Sequence, residues 1–236
     1  MRLLGCARSW EFRYRLPILI ASQPIFALLI HICGHHQGSW YAPPISMSAG
    51  LTGLAIATLG ALVRVWSASI LSAGIMGSKN PETGVLITSG PFAVVRNPLY
   101  VGTMLIFTGY GLCFGWIAGL LFFLFHAIRY VRMVSFEELQ FQDSQTAEFQ
   151  RYTQRVPRFI PRRLPLESWT GPVCTLESFL GNALFVSIPV GVAVSLWSGS
   201  LSWIVPAECT GGLVMLLYFA ISKPQINTKL TEPDLA

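Results

Sequence analysis

Two polar stretches of this chain carry residue types that could hold a charged ligand. The first contains, in order, Arg96, Asn97, Pro98, Tyr100 and Gly102. Because a proline fixes its own φ and disfavours a helical conformation of the residue before it, we expect a helix to begin at Pro98. The free N–H groups of a helix N-terminus favour a carboxylate or a phosphate, and an arginine can clamp either. The stretch predicts an anion site, with interfacial anchoring of a membrane span as the alternative.

The second stretch contains the adjacent acids Glu137 and Glu138. A pair of acids beside a membrane span could bind a cationic ligand, or orient an amine or a hydroxyl group. Adjacent residues of a helix point about 100° apart, so only one carboxylate needs to face a pocket. The stretch has a helical pattern as far as about Gln154, and Pro157 and Pro161 then end regular structure. A solvated helix beside the membrane is the alternative interpretation.

The composition places both stretches in a membrane protein. Of the 236 residues, 53% are hydrophobic and only 11% are charged, whereas a soluble domain carries about 25% charged residues. The net charge of +5 is spread along the chain without a dense basic block, so we expect no nucleic-acid partner. The five cysteines form no Cys-x-x-Cys pair and no zinc spacing with histidine, so we expect no metal site.

Apolar segments long enough to cross a bilayer as helices set the fold class. They run from about Leu16 to Cys33, Met47 to Ala73, Leu99 to Ile128, Leu176 to Trp197 and Leu201 to Ile221. The middle block has glycines near its centre, which favours two short helices in a tight hairpin over a single long tilted span. The sequence therefore predicts an all-α, polytopic membrane helix bundle of about six transmembrane helices, with a short cytoplasmic helix after the fourth.

The basic residues favour six spans over five. With six spans, every Lys and Arg except Arg64 falls on one side of the membrane, and cationic residues accumulate on the cytoplasmic side. We therefore expect a multi-pass protein with both termini cytoplasmic. No A-x-A-like cleavage site follows the first span, which favours an uncleaved anchor over a signal peptide. Residues 1–236 are expected to form a single integral membrane domain.

The exception, Arg64, lies inside the second predicted span. A charge inside a bilayer is costly enough to suggest a function. Snorkelling of the side chain towards the interface is the alternative. Glu208, in the last predicted span, could pair with Arg64 or could mark a water-exposed bend.

Together the two polar stretches resemble the isoprenylcysteine carboxyl methyltransferase and phospholipid methyltransferase group of integral membrane enzymes. The segment Gly90–Gly102 matches the family pattern Gly-Pro-Tyr/Phe-x-x-x-Arg-His/Asn-Pro-x-Tyr-x-Gly. The Glu137–Glu138 pair matches a later Glu-Glu pair, and a closing Val-Pro-Arg ends at Arg158. The order and the separation of these motifs also agree, and the similarity covers residues 51–161.

The resemblance implies an S-adenosylmethionine-dependent methyltransferase without a Rossmann fold, whose lipid or lipid-linked substrate enters from the bilayer at the cytoplasmic face. Residues 51–161 would form the methyltransferase-like core, and residues 174–222 an additional C-terminal transmembrane pair. The resemblance implies cofactor binding by Arg96, Asn97, Pro98, Tyr100, Gly102, Glu138 and Tyr152. Catalytic roles would belong to Glu137, Glu138 and Arg64, and the resemblance implies that Arg64 contacts a substrate headgroup or the cofactor.

Two other interpretations stay open at this point. A sterol-reductase-like membrane protein of related architecture would bind NADPH in place of S-adenosylmethionine. A small transporter or a non-catalytic scaffold is a third possibility, although transporters often show paired halves and this sequence shows no internal repeat. An amine, a carboxyl group and a thiol are all open as the acceptor, and the sequence favours no oligomeric state.

Overall fold

The described part of the chain is helical. The computed structural model describes residues 9–15, 17–19, 21–22, 47–71, 86–142, 147–162 and 174–231. Across these residues there is no β-strand, which confirms the prediction of an all-α fold. The first predicted span, about Leu16 to Cys33, lies mostly outside the described residues.

The helices of the described residues follow one another with short connections. In chain order they are α1 (Ser9–Arg13), α2 (Met47–Ile70), α3 (Pro91–Val94), α4 (Pro98–Leu112), α5 (Trp116–Gln142), α6 (Ala147–Arg155), α7 (Leu176–Leu180), α8 (Ala183–Ser198) and α9 (Ile204–Thr231), with a 3₁₀ turn at Leu201–Trp203 before α9. As predicted, a helix begins at Pro98. Helix α6 ends one residue beyond the predicted Gln154, and the prolines that follow lie in irregular structure.

Within the described residues, three segments are long and apolar enough to cross a membrane, namely Met47–Ile70, Trp116–Leu139 and Leu201–Ser222. Large apolar side chains point outward from them, including Leu62 at 64% and Ile117 at 77% exposure, as expected of a surface that faces lipid. Helices α4 and α8 are apolar but have only 15 and 16 residues, fewer than the roughly 20 that a perpendicular span needs. The chain is therefore a membrane protein, while the predicted count of six spans is not confirmed.

The middle apolar block, predicted from about Leu99 to Ile128, forms a hairpin of α4 and α5. The alternative of a single long tilted span is therefore wrong. Helix α4 ends at Leu112, and a turn through Gly115, whose φ of 115° is rarely adopted by other residues, leads into α5 at Trp116. The second arm is longer than predicted, because α5 continues without a break past Ile128 to Gln142. Arg129 and Arg132 are accommodated within it by Arg15 and Glu11, which lie in the N-terminal segment (described residues 9–15, 17–19 and 21–22).

Helices α2 and α4 cross at very short range. Gly60 faces Gly102, and Gly53 faces Gly109. A Cβ atom on Gly60 would lie 2.6 Å from the Gly102 carbonyl oxygen, so the two backbones approach too closely for a side chain at this crossing. Helix α8 packs against both α2 and α4, and α9 packs against α8. The glycine contact sets the register that places Arg64 of α2 beside the first turns of α4.

We expect Gly60→Ala to lower the midpoint of thermal unfolding in detergent. The added Cβ would lie 2.6 Å from the Gly102 carbonyl oxygen and 2.8 Å from the Ile106 nitrogen. These backbone atoms can move only with their helix, so the loss should be about 1–3 kcal/mol, as in overpacked cores. Gly212→Ala is the matched control, because its Cβ would lie 3.7 Å from Leu184 Cδ1, an ordinary contact. Equal midpoints for the two variants would contradict the close crossing.

Candidate functional site

The turn between α3 and α4 presents the first polar stretch. Val95 is extended, with φ −141° and ψ 148°, and Asn97 has φ −127° and ψ 55°, so both residues lie outside the helical region. Pro98 then starts α4 as its first helical residue, where its missing N–H group leaves no hydrogen bond unmade. The local sequence therefore breaks the chain just before the helix and holds Arg96 and Asn97 in the turn.

The chain that follows α6 lies against this turn. Three hydrogen bonds join the two polar stretches: Arg96 N–H to the Pro157 carbonyl oxygen at 2.8 Å, Asn97 Nδ2 to the Arg158 carbonyl oxygen at 3.3 Å, and the Tyr152 hydroxyl to the Phe92 carbonyl oxygen at 2.7 Å. Burial raises the pKa of Tyr152, so its hydroxyl stays a hydrogen-bond donor at neutral pH. Segments about 60 residues apart in sequence are thus fixed to each other at one end of the hairpin.

Glu138 lies between two arginines. Its Oε1 atom lies 3.5 Å from Arg96 Nη2 and accepts a hydrogen bond from Arg158 Nε at 3.1 Å, while its Oε2 atom pairs with Arg158 Nη2. The Arg96 and Glu138 side chains are only 14% and 19% exposed, so water screens this pair weakly. Two cations share one carboxylate, which leaves the Arg96–Glu138–Arg158 cluster with a net positive charge.

The Arg96 side chain has one hydrogen-bond donor that the cluster does not use. Its Nε atom is buried and has no hydrogen-bond partner within the described part of the chain. Burial lowers the pKa of the Arg96 guanidinium, and the negative charge of Glu138 opposes that shift, so the carboxylate stabilises the cation where solvent does not. A buried N–H group without a partner is unfavourable. The cluster is therefore suited to accept a further anionic group.

Glu137 has a different partner from its neighbour. The Tyr100 hydroxyl donates a hydrogen bond of 2.6 Å to Glu137 Oε1. The Tyr100 ring stacks on Tyr130 of α5, with ring centroids 4.8 Å apart and an interplanar angle of 24°. Met133 is buried beside this stack. The two adjacent acids thus point in different directions, as helix geometry requires, and each is fixed by its own contacts.

The Arg64 side chain extends from α2 to α4 and forms no ion pair with an acidic residue of the described part of the chain. Its Nη1 atom donates to the Leu99 carbonyl oxygen at 3.1 Å and to Thr103 Oγ1, and its guanidinium carbon lies 3.6 Å from the centroid of the Phe185 ring. Arg64 Nε and Glu208 Oε1 are both buried without a hydrogen-bond partner among the described residues. The Arg64–Glu208 pair that the sequence left open is therefore not formed, and the guanidinium is directed into the bundle.

The structure brings the predicted residues into two adjoining groups. The outer group contains Arg96, Asn97, Glu138 and Tyr152. The inner group contains Tyr100 and Glu137, together with Arg64 of α2, which binds the backbone of α4 beside Tyr100. Pro98 and Gly102 differ from these residues. Pro98 is buried at the start of α4, and Gly102 faces Gly60 and Arg64 of α2. Their assignment to cofactor binding stays a prediction.

Arg158 and Phe185 are among the contact residues of the site that were not assigned from the sequence. Arg158 had a visible signal, since it closes the Val-Pro-Arg motif that follows α6, but its pairing with Glu138 depends on how the chain folds back. Phe185 lies in the C-terminal pair, outside the motifs, and still contacts Arg64. The sequence alone does not distinguish a phenylalanine that contacts a buried cation from one that only packs in the core of an apolar helix bundle.

Comparisons with known proteins give one family and two relatives. A sequence model described as phospholipid methyltransferase matches residues 49–144, which include Arg64, the Arg96–Gly102 segment and the Glu137–Glu138 pair. The cobalt-zinc-cadmium resistance protein CzcN of Cupriavidus metallidurans is 34% identical over 167 residues, 68% of this chain and 71% of that protein. The nickel-cobalt-cadmium resistance protein NccN of Alcaligenes xylosoxydans xylosoxydans is 31% identical over 180 residues, 74% of this chain and 77% of that protein. No solved structure matches the chain significantly.

Proposed function

Because this chain belongs to the phospholipid methyltransferase family, we propose that it transfers a methyl group from S-adenosylmethionine to a lipid or lipid-linked acceptor at the cytoplasmic membrane face. The observation that carries the proposal is the Arg96–Glu138–Arg158 cluster next to the Tyr100–Glu137 pair. The cluster can bind a charged cofactor end, and the pair, whose Tyr100 packs against buried Tyr130 and Met133, can hold an acceptor that arrives from the bilayer.

The donor set of the outer group fits S-adenosylmethionine. The methionyl end of this cofactor carries both a carboxylate and an ammonium group, so it requires cationic donors and an acid close together. Arg96 provides a buried donor without a partner among the described residues, and Glu138 provides the acid. We assign cofactor binding to Arg96, Asn97, Pro98, Tyr100, Gly102, Glu138 and Tyr152. When bound, the cofactor supplies a methyl group already activated by its sulfonium.

The residues of this chain then have to position the acceptor. Transfer from a sulfonium depends on alignment more than on strong acid–base assistance. Glu137, held by the Tyr100 hydroxyl at 2.6 Å, can accept a proton from an amine or a hydroxyl acceptor, while a carboxylate acceptor needs no base. Arg64 has an Nε donor without a partner among the described residues. We assign it to an acidic part of the acceptor headgroup.

The charge at this end of the hairpin supports a cytoplasmic orientation. Arg96, Arg151, Arg155 and Arg158 all lie in or beside the turn and the segment that covers it. Cationic residues accumulate on the cytoplasmic side of membrane proteins. We therefore propose that the site faces the cytoplasm and that both termini lie on that side.

We expect the purified protein to bind S-adenosylhomocysteine saturably in calorimetric titration. Glu138→Gln and Arg96→Ala should each weaken binding by tenfold or more, since each removes a charge-assisted hydrogen bond worth about 1.5–3 kcal/mol. Arg151→Gln, an exposed arginine of α6 outside the cluster, is the matched control and should bind as the wild type does. A folded wild-type protein that fails to bind would refute the cofactor assignment, and titration with NADPH would then test the reductase-like alternative.

We expect Arg64→Leu to reduce methyl transfer from labelled cofactor into extracted membrane lipid by at least tenfold. Its affinity for S-adenosylhomocysteine should stay within about twofold of the wild type, because Arg64 contacts the Leu99 and Thr103 region and not the outer cluster. Size-exclusion chromatography would establish that the variant is folded. Unchanged turnover in a normally expressed variant would remove Arg64 from the mechanism.

The names of the two relatives suggest where this reaction is used. Both are described as resistance proteins for cobalt, cadmium and a third metal, and we propose that methyl transfer by this chain contributes to metal tolerance. Expression of the wild type or Arg151→Gln in a metal-sensitive host should improve growth in medium with cobalt or cadmium. Glu138→Gln at equal expression should not. Full protection by Glu138→Gln would separate tolerance from the proposed cofactor site.

A further inference from the structure

A groove of about 290 Å³ lies between the N-terminal segment and α5. One of its walls is formed by Phe125, Ile128, Arg129, Arg132 and Met133, whose spacing of three and four residues places them on one face of the helix. The Tyr130 and Glu137 side chains of the proposed transfer site lie on the neighbouring face. The groove adjoins that site, since the Arg129 guanidinium carbon lies 5.4 Å from the centroid of the Tyr130 ring, but the proposed transfer reaction assigns the groove no role.

The charged groups of the groove leave one cationic donor unused. Arg132 Nη2 pairs with Glu11 Oε1 at 2.8 Å. Arg129 Nη2 donates a hydrogen bond to the Arg15 backbone carbonyl, whereas Arg129 Nη1 is buried and has no partner within the described part of the chain. Two arginines and one glutamate give the groove a net positive charge. A buried guanidinium N–H without an acceptor is unfavourable, and an anion would satisfy it.

The rest of the lining is apolar. Trp10 and Ile18 from the N-terminal segment face Phe125 and Ile128 across the groove. This part of α5 belongs to the candidate membrane span Trp116–Leu139, and a tryptophan with arginines is typical of the level at which a bilayer meets water. Apolar walls that lead to a cationic donor suit an amphiphile with an anionic head, and they suit a free inorganic anion poorly.

We propose that this groove binds an anionic phospholipid, with the phosphate accepting hydrogen bonds from Arg129 and the acyl chains lying along Ile18, Phe125 and Ile128. Because Arg129 also holds the Arg15 carbonyl, the bound lipid fastens the N-terminal segment to α5. Met133 forms part of the groove and is also buried beside the Tyr100–Tyr130 stack, so the lipid supports the wall that the two sites share. The proposal does not depend on the methyl transfer reaction.

The test is native mass spectrometry of the full-length protein released from detergent micelles. Dioleoyl phosphatidylglycerol, dioleoyl phosphatidylcholine and inorganic phosphate are titrated separately and in competition. We expect one phosphatidylglycerol to bind the wild type at least tenfold more tightly than phosphatidylcholine, with no displacement by inorganic phosphate. Arg129→Gln should remove that preference by weakening phosphatidylglycerol binding about tenfold. Arg151→Gln, the control outside the groove, should keep it.

A second variant keeps the test decisive if Arg129→Gln does not fold. Glu11→Gln removes the acid of the groove, so it should tighten phosphatidylglycerol binding severalfold. Equal binding of the two lipids, displacement of phosphatidylglycerol by inorganic phosphate, or unchanged affinity in each of the two variants that folds would overturn the proposal.

Discussion

The close crossing of α2 and α4 is the constraint on which the site depends. Between helices surrounded by lipid the hydrophobic effect contributes little, so their association relies on tight packing of small residues. Gly60 and Gly102 bring the two backbones together, with an added Cβ only 2.6 or 2.8 Å from the opposite carbonyl oxygen. Arg64 lies one turn beyond Gly60 and can therefore reach the Leu99 carbonyl and Thr103. Two glycines, which have no side chain, thus determine where the Arg64 guanidinium lies.

Glu138 has a corresponding role at the end of the hairpin. Without its carboxylate, Arg96 and Arg158 would be two weakly hydrated cations held close together, and removing one partner of a shielded ion pair is costly. The same charges explain how a zwitterionic cofactor could bind there without a large rearrangement. Its carboxylate would accept a hydrogen bond from the Arg96 Nε atom, which has no partner among the described residues, and its ammonium group would lie beside Glu138. Such preorganisation reduces the entropy lost on binding.

Local chemistry made much of this architecture predictable. The start of α4 at Pro98, the reversal through Gly115 and the end of α6 before Pro157 all follow from the backbone limits of proline and glycine. Contacts between distant segments were not predictable. Helix α5 carries Arg129 beyond the predicted end of the span at Ile128 to a partner in the N-terminal segment, and a hydropathy pattern contains no information about that contact. For the same reason the sequence indicated both acids of the site but not the partner of either.

Helix α5 shows how one membrane helix can serve two neighbouring sites. Arg129 and Tyr130 are adjacent in sequence and point about 100° apart, so one lines the lipid groove and the other stacks on Tyr100. Met133 is in contact with both regions. A lipid that fills the groove would limit the movement of Met133 and therefore of the Tyr100–Tyr130 stack. Since Tyr100 holds Glu137 through a single hydrogen bond, the order of the acceptor side of the site would then depend on the lipid beside it.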